Sequence, residues 1–295
     1  MRYAIGIDLG GTHIKAASVS EAGDILDRVT GETRDRGAPG AWTATIRGLR
    51  AELESMRGGP AAAIGVAAPG LAAPDGRSIA SIPGKLAGLQ GLDWARALEA
   101  TVPVRVLNDG HAALLGECWR GAAAGCQDVV LLTLGTGVGG AILSGGRLLT
   151  GATGKAGHWW HMTLDPDGPP SIAGMPGSLE GAIGNCTIEA RSHGRFHDTK
   201  ALVSAHLAGD AEATRVWMRS VYRLACAVAS IANAVDPEVV ILGGGISRAG
   251  DALLQPLAGF LDRVEWRPLG GVRVRLAALG EMAGALGAAH RALSA

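Results

Sequence analysis

Cysteine is scarce. The 295-residue chain has four, at Cys118, Cys126, Cys186 and Cys226, and no two of them form a C-x-x-C pair. That excludes a disulfide framework and a paired-cysteine metal knuckle, and it suits thiols kept reduced. Excess charge of either sign is missing as well: 27 basic residues stand against 27 acidic ones, so no global field draws the chain to nucleic acid or anionic lipid. Long apolar runs are absent. The most apolar stretch, 61–73, is rich in Ala and Gly and broken by Pro69, and it would not span a bilayer. Met1 leads directly into a strand-like run at 3–8 with neither a charged nor an apolar leader, so no secretory signal is expected. There is no P-loop either: Gly154-Lys155 is followed by Ala156, and the earlier glycine of that motif is missing. The expectation is a cytoplasmic protein with neither nucleic-acid nor membrane partners.

Glycine, by contrast, is abundant, with 46 residues, many clustered just after apolar runs. The length suits two domains of ordinary size. Residues 3–9 and 13–19 read as two strands joined at Gly10–Gly11, where glycine would supply the positive φ of a tight hairpin. Trp42, Ile46, Leu49, Leu53 and Met56 recur at alternating steps of four and three, the period of an amphipathic helix. A strand at 61–67, a short helix at 92–100, a strand at 102–107 ending at Asn108-Asp109, and a helix at 111–123 follow. The second half repeats the style. It has a strand at 129–134, a glycine turn at 135–140 and a returning strand at 141–143. A long buried helix is marked by Trp217, Val221, Leu224, Val228 and Ile231. A strand at 239–242 then runs into three glycines, and helices follow at 248–262 and 282–291. The stretch 151–186 is rich in Gly and Pro, lacks periodicity and reads as a functional loop. Two similar α/β halves, with a nucleotide in the cleft between them, are the expected architecture.

Three segments set polar groups against glycines at a strand end. In Asp8-Leu9-Gly10-Gly11-Thr12, backbone N–H groups form an anion nest and the carboxylate can hold Mg²⁺ through water. An ordinary hairpin with a solvated aspartate would use the same residues. The run 133–140 (TLGTGVGG) matches G-x-G-x-x-G through Gly135, Gly137 and Gly140. A dinucleotide site, however, needs a helix directly after the glycines, and 141–146 (AILSGG) reads as a strand and another turn. A phosphate-clasping hairpin fits better. In 241–246, Gly243-Gly244-Gly245 lets backbone pass close to a base or ribose. Asn108-Asp109 joins an amide that donates and accepts to a carboxylate able to take a hydroxyl proton; a plain turn is the other reading.

In this order the segments resemble the ROK family (repressors, open reading frames, kinases) of sugar kinases, within the actin/hexokinase superfamily, over nearly the whole chain. DLGGT at 8–12 is similar to the family's first phosphate loop and LTLGTGVGG at 132–140 to its second. LNDGHAAL at 107–114 looks like the segment with the catalytic aspartate, ILGGGIS at 241–247 like the adenosine loop, and GEMAGALGAA at 280–289 like the terminal segment. The resemblance implies a two-lobed actin-like (ribonuclease H-like) α/β fold. One lobe would span 1–109, with a C-terminal helix at 281–295 packing back on it, and the other 110–280. It implies an ATP- and Mg²⁺-dependent, glucokinase-like kinase acting on a hydroxyl of a sugar or polyol, in a homodimer. Asp109 is then the general base, and Asn108, His158, His161, Glu180 and Gly70 bind the sugar. Asp8 positions Mg²⁺, through water. Gly10, Gly11, Thr12, Lys15, Thr136 and Gly137 contact the phosphates, and Gly243, Gly244 and Gly245 line the adenosine site.

Two departures from the family pattern matter. Members with a structural zinc hold it with a histidine matching His161 and three cysteines in C-x-C-G-x-x-G-C. Here 171–178 reads SIAGMPGS, with the glycines kept and no cysteine. Serine hydroxyls are poor zinc ligands, so no zinc is expected. The sugar motif E-x-G-H is here His158-Trp159-Trp160-His161, with imidazole for carboxylate and indole for glycine. That swap should change which polyol fits, and at least one of the two indoles is expected only to pack the loop. An amino sugar or a C7 cyclitol then rivals glucose as substrate. A non-catalytic sugar sensor is a further alternative. A repressor would carry a helix-turn-helix before the first glycine hairpin, for which the sequence leaves no room. A nicotinamide-dependent oxidoreductase is disfavoured by the strand after Gly140.

Overall fold

The computed structural model describes residues 2–35, 39–82 and 86–294. The chain divides into two compact units, one of Met1–Gly125, Leu148–Ala156 and Ala278–Ala295, the other of Cys126–Arg147 and Gly157–Ala277.

In the first unit, β1 (Tyr3–Leu9), β2 (His13–Ser20) and β3 (Ile25–Glu32) form an antiparallel meander. Helix α1 (Trp42–Arg57) follows, then β4 (Ala63–Ala68), a small ribbon of β5 (Leu71–Ala72) and β6 (Ile79–Ser81), the short helix α2 (Trp94–Ala97), and β7 (Val104–Asn108). Strands β4 and β7 extend the meander in parallel, giving the order β3-β2-β1-β4-β7. β4 is buried at every position and β1 at nearly every one, so both read as almost continuous apolar runs, as strands covered on two faces do. Helix α1 packs Trp42, Ile46, Leu49 and Leu53 into the core on one face and stops at Gly58, whose φ of 72° gives a left-handed cap.

Helix α3 (Asp109–Arg120) and the last helix, α9 (Ala283–Leu293), pack together, and α9 lies on the sheet's other face. Glycine makes that contact possible. A Cβ on Gly6 would lie 1.8 Å from the Ala285 carbonyl oxygen, one on Gly65 1.9 Å from that of Ala288, and one on Gly287 1.7 Å from that of Ala112. Backbone therefore touches backbone at three places. The buried carboxylate of Glu117 completes the joint, accepting hydrogen bonds from the backbone N–H groups of Ala122, Ala278 and Leu279 at 2.8, 3.1 and 2.9 Å. Helix α3 thus belongs with the first unit, whereas the expected boundary at 109/110 placed it in the second.

The second unit repeats the sheet. β8 (Val129–Leu134), β9 (Val138–Ser144) and β10 (Arg147–Leu148) come first, followed by helices α4 (Leu179–Ile183), α5 (Ile188–Arg191), α6 (Thr199–Leu207) and α7 (Ala211–Val235). Then come β11 (Val239–Gly243), α8 (Asp251–Val264) and β12 (Arg273–Leu276), in the strand order β10-β9-β8-β11-β12. As in the first unit, an antiparallel hairpin is extended by parallel strands. Helix α7 buries Trp217, Val221, Leu224, Val228 and Ile231, as expected, and ends at Asp236 with φ of 44°.

Several expectations need correction. Strands β3 and β12 were not anticipated: β3 alternates half-buried with exposed residues and β12 is short, so both give weak patterns. The expected helix at 92–100 holds only four residues of α-helix. The stretch 151–186 contains α4 and two isolated bridges, Thr163 with Ser178 and Pro170 with Pro176. Gly10 and Gly11 are not in the left-handed region. What Gly10 supplies is proximity, because a Cβ there would come within 2.8 Å of the His13 carbonyl oxygen. No helix of the described residues is long and apolar enough to cross a membrane.

Candidate active site

In the first unit, β1 and β7 flank β4 in parallel and end at the same edge of the sheet, which sets Asp8 near Asp109. Asp8 is the penultimate residue of β1, opposite Lys15 in the β1–β2 register. Burial, and next the charge of Asp109, push its carboxyl up to about 7, with Lys15 acting in the opposite direction. Such a proton-loving carboxylate marks a place short of positive charge. Lys15 also pairs with Glu281 at 3.4 Å. Asp109 is exposed at the first position of α3, where the helix dipole favours negative charge. One of its oxygens accepts from the Gly110 N–H at 2.8 Å.

Asn108 is the N-cap of that helix. Its Oδ1 accepts from the His111 N–H at 3.2 Å, and its Nδ2 donates to the Gly70 carbonyl at 2.9 Å. The amide expected to grip a sugar is thus mostly committed to shaping the strand–helix corner, with one N–H left over, and the Gly70 carbonyl is engaged in the same bond. Gly70 needs its φ of 103°, and a Cβ there would meet the Ser81 carbonyl oxygen at 2.6 Å. The turn at 10–12 is braced by Thr33, whose hydroxyl donates to the Gly10 carbonyl at 2.7 Å and whose N–H donates to that of Thr12 at 2.9 Å. Sequence reasoning missed Thr33 because nothing local links it to that turn.

In the second unit, the turn between β8 and β9 carries Thr136 and Gly137. The triple glycine lies beside it: Gly243 is in register with Thr133, and a Cβ on Gly244, where φ is 86°, would meet the Leu134 carbonyl oxygen at 2.3 Å. Glu180, in the first turn of α4, reaches the same turn. Its Oε2 accepts from the Val138 N–H at 3.1 Å, and a Cβ on Gly137 would lie 2.2 Å from that oxygen. The structure therefore places Glu180 against the second glycine turn as well as near the 158–161 segment, since α4 packs on that segment's 3₁₀ turn.

His158 precedes this 3₁₀ turn, Trp159–His161, and His161 stacks on Trp160 with ring centroids 3.4 Å apart. Both indoles pack against the core of the unit. Trp159 sits over Gly140, where a Cβ would be 2.5 Å from its Cδ1. The loop that would carry the cysteines of a zinc site closes on itself: the Ser171 hydroxyl accepts from the N–H groups of Ala173 and Met175, both at 3.3 Å. Among the described residues, no cluster of three or more His, Cys, Asp or Glu side chains is arranged to hold a metal ion.

The family model of ROK matches residues 4–294. The glucokinase of Halalkalibacterium halodurans is 34% identical over 97% of this chain and 93% of its own length. The N-acetylmannosamine kinase of Escherichia fergusonii is 34% identical over 83% of this chain and 84% of its own. A ROK family glucokinase from Streptomyces griseus, solved in complex with glucose and AMPPNP, has a TM-score of 0.81 at 29% identity, covering 99% of this chain and 100% of that one. The chain belongs to the ROK family, and its α/β architecture is the actin-like fold of that family's kinases.

Proposed function

We propose that the protein is an ATP-dependent sugar kinase in which Asp109 is the general base. The observation that carries this is the pair Asp8 and Asp109 beside a Gly-Gly-Thr turn: burial first, and then the charge of Asp109, raise the Asp8 carboxyl to about 7. Phosphoryl transfer asks a protein mainly for in-line positioning and for neutralisation of charge. Asp109 takes the proton of the attacking hydroxyl from the first turn of α3, where the helix dipole favours negative charge. Asp8 is the hard oxygen donor that would hold Mg²⁺, through water, and a divalent cation there would relieve the repulsion between the two carboxylates. Bound so, the metal would neutralise charge on the transferring phosphoryl group.

The remaining residues divide by chemistry. Backbone N–H groups at Gly11 and Thr12, with Lys15, and those at Thr136 and Gly137 are suited to phosphate oxygens, whereas the Gly10 N–H donates to the His13 carbonyl at 3.1 Å and shapes the turn. Gly243, Gly244 and Gly245 keep side chains away from an adenosine. The spare N–H of Asn108, the imidazoles of His158 and His161, and Oε1 of Glu180 are donors and acceptors for sugar hydroxyls. Gly70 acts through Asn108. No structural zinc is part of this reading, because 171–178 carries no cysteine and serine hydroxyls are poor zinc ligands; about one zinc per purified chain would overturn that part.

Likeness to both a glucokinase and an N-acetylmannosamine kinase makes hexoses and N-acyl amino sugars the substrate classes to test first, with cyclitols third. The test is ADP release across such a panel by the wild type and by Asp109→Asn. The variant should lose about 10²–10⁴-fold in kcat while still binding ATP. Retention of more than about a tenth of the activity would remove Asp109 from the mechanism. Sugar binding without any turnover by the wild type would replace the kinase with a sensor.

A further inference from the structure

The second unit carries, apart from the residues just described, a cavity of about 280 Å³ with a strongly cationic wall. Arg215, Arg219 and Arg223 line it from one face of α7 at successive steps of four, with Arg191 at the end of α5 and His193 just beyond. Like charges at that spacing oppose helix formation. Compensation from within is incomplete. Asp165 pairs with Arg223 at 3.0 Å, and Glu212 pairs with Arg215 at 3.3 Å while also serving Arg195 at 2.8 Å. The side chains of Arg219 and His193 have no hydrogen-bond or ion-pair partner among the described residues.

Arg191 is held rigidly at the cavity's inner end. Its guanidinium donates to the Ser220 hydroxyl at 2.6 Å, to the Gly184 carbonyl at 2.9 Å and to the Thr187 hydroxyl at 3.1 Å. Burial, and secondarily the charge of Arg223, lower it to about 10, so it stays cationic at neutral pH. A fixed guanidinium with others converging on one small concave volume suits the oxygens of a phosphate better than a single carboxylate.

We propose that this cavity binds a phosphorylated small molecule, either an inorganic phosphate chain or a sugar phosphate, at a site separate from that of the reacting nucleotide. The geometry also says what such binding would touch. Arg191 holds the Gly184 carbonyl, and the next two N–H groups, those of Asn185 and Cys186, donate to the carbonyls of Gly135 and Thr136 at 2.9 and 2.8 Å. The cavity wall is thus one short segment away from the second glycine turn, so its occupant should alter the KM for ATP.

The test is calorimetric titration of the full chain with inorganic tripolyphosphate, orthophosphate and glucose 6-phosphate, each with and without saturating AMPPNP. At least one of the three should bind with AMPPNP present, and both Arg219→Glu and Arg215→Glu should weaken that binding at least about tenfold, or 1.4 kcal/mol. Both side chains are exposed, so the folds of the variants should survive. Preference for tripolyphosphate would identify a phosphate chain as the occupant, and preference for glucose 6-phosphate a product-like ester. The proposal fails if none of the three binds the wild type, or if the variants bind as well as the wild type. Binding of AMPPNP alone, measured in the same series, reports separately on the kinase reading. A bound anion that left the ATP KM of the wild type unchanged would refute the coupling to the glycine turn.

Discussion

The carboxylate of Asp8 rests against Gly284: a Cβ on that glycine would lie 2.8 Å from both its Cγ and its Oδ2. The last helix of the chain therefore forms the wall behind a carboxylate at the end of the first strand. It strips water from Asp8, and that desolvation is the largest cause of its raised pKa.

Gly284→Ala should consequently act on metal binding more than on folding. The added methyl meets only the movable end of a side chain, so Asp8 would swing aside. The Mg²⁺ concentration for half-maximal activity should rise at least about fivefold, near 1 kcal/mol, with the melting temperature little changed. An unaltered Mg²⁺ requirement would separate Asp8 from the metal.

Gly287→Ala, one turn further along α9, should do the reverse. Its Cβ would lie 1.7 Å from the Ala112 carbonyl oxygen, and backbone cannot swing aside. Overpacking of this kind costs about 1–3 kcal/mol or more, which urea denaturation would read directly. A loss below about 0.5 kcal/mol, the range of ordinary surface changes, would mean that α3 and α9 separate easily.

The pH dependence follows from Asp8. Folded, it keeps its proton up to about pH 7, against the 3.8 ordinary for an aspartate. This group therefore favours the folded state most at low pH, and that contribution is lost as the pH rises through about 7. Metal binding needs the ionised form, so Mg²⁺ affinity should increase from about pH 6 to pH 8, with proton uptake by the buffer in calorimetry. Asp109→Asn removes a neighbouring negative charge and should shift that transition to lower pH. A flat profile in the wild type would contradict the assignment.

His158→Glu should change sugar preference rather than chemistry. The imidazole lies at the start of the 3₁₀ turn that α4 packs on, and it offers one donor and one acceptor where a carboxylate offers acceptors only. Mismatched polar pairing in a closed site outweighs a lost apolar contact. Ratios of kcat/KM between sugars should move by at least about tenfold, with the KM for ATP nearly constant. If the ranking of sugars held while ATP affinity fell, His158 would belong with the nucleotide.

The sequence by itself determined what short-range physics controls. Strand and helix periods located β1, β2, α1 and β11 to within a few residues and marked the buried face of α7, and glycine clusters marked the turns that follow β1, β8 and β11. The residues singled out at those turns lie where the strands of each sheet end. Only the tertiary structure decided which groups those turns face. Asn108 reads as a sugar ligand until the Gly70 carbonyl and the His111 N–H take most of its amide. Glu180 reads likewise until its carboxylate meets the Val138 N–H. Gly284 behind Asp8, Thr33 under the first turn and Glu117 beneath the approach to α9 left no local pattern at all. Their partners lie far away along the chain, and only close packing of helix on sheet brings them within reach.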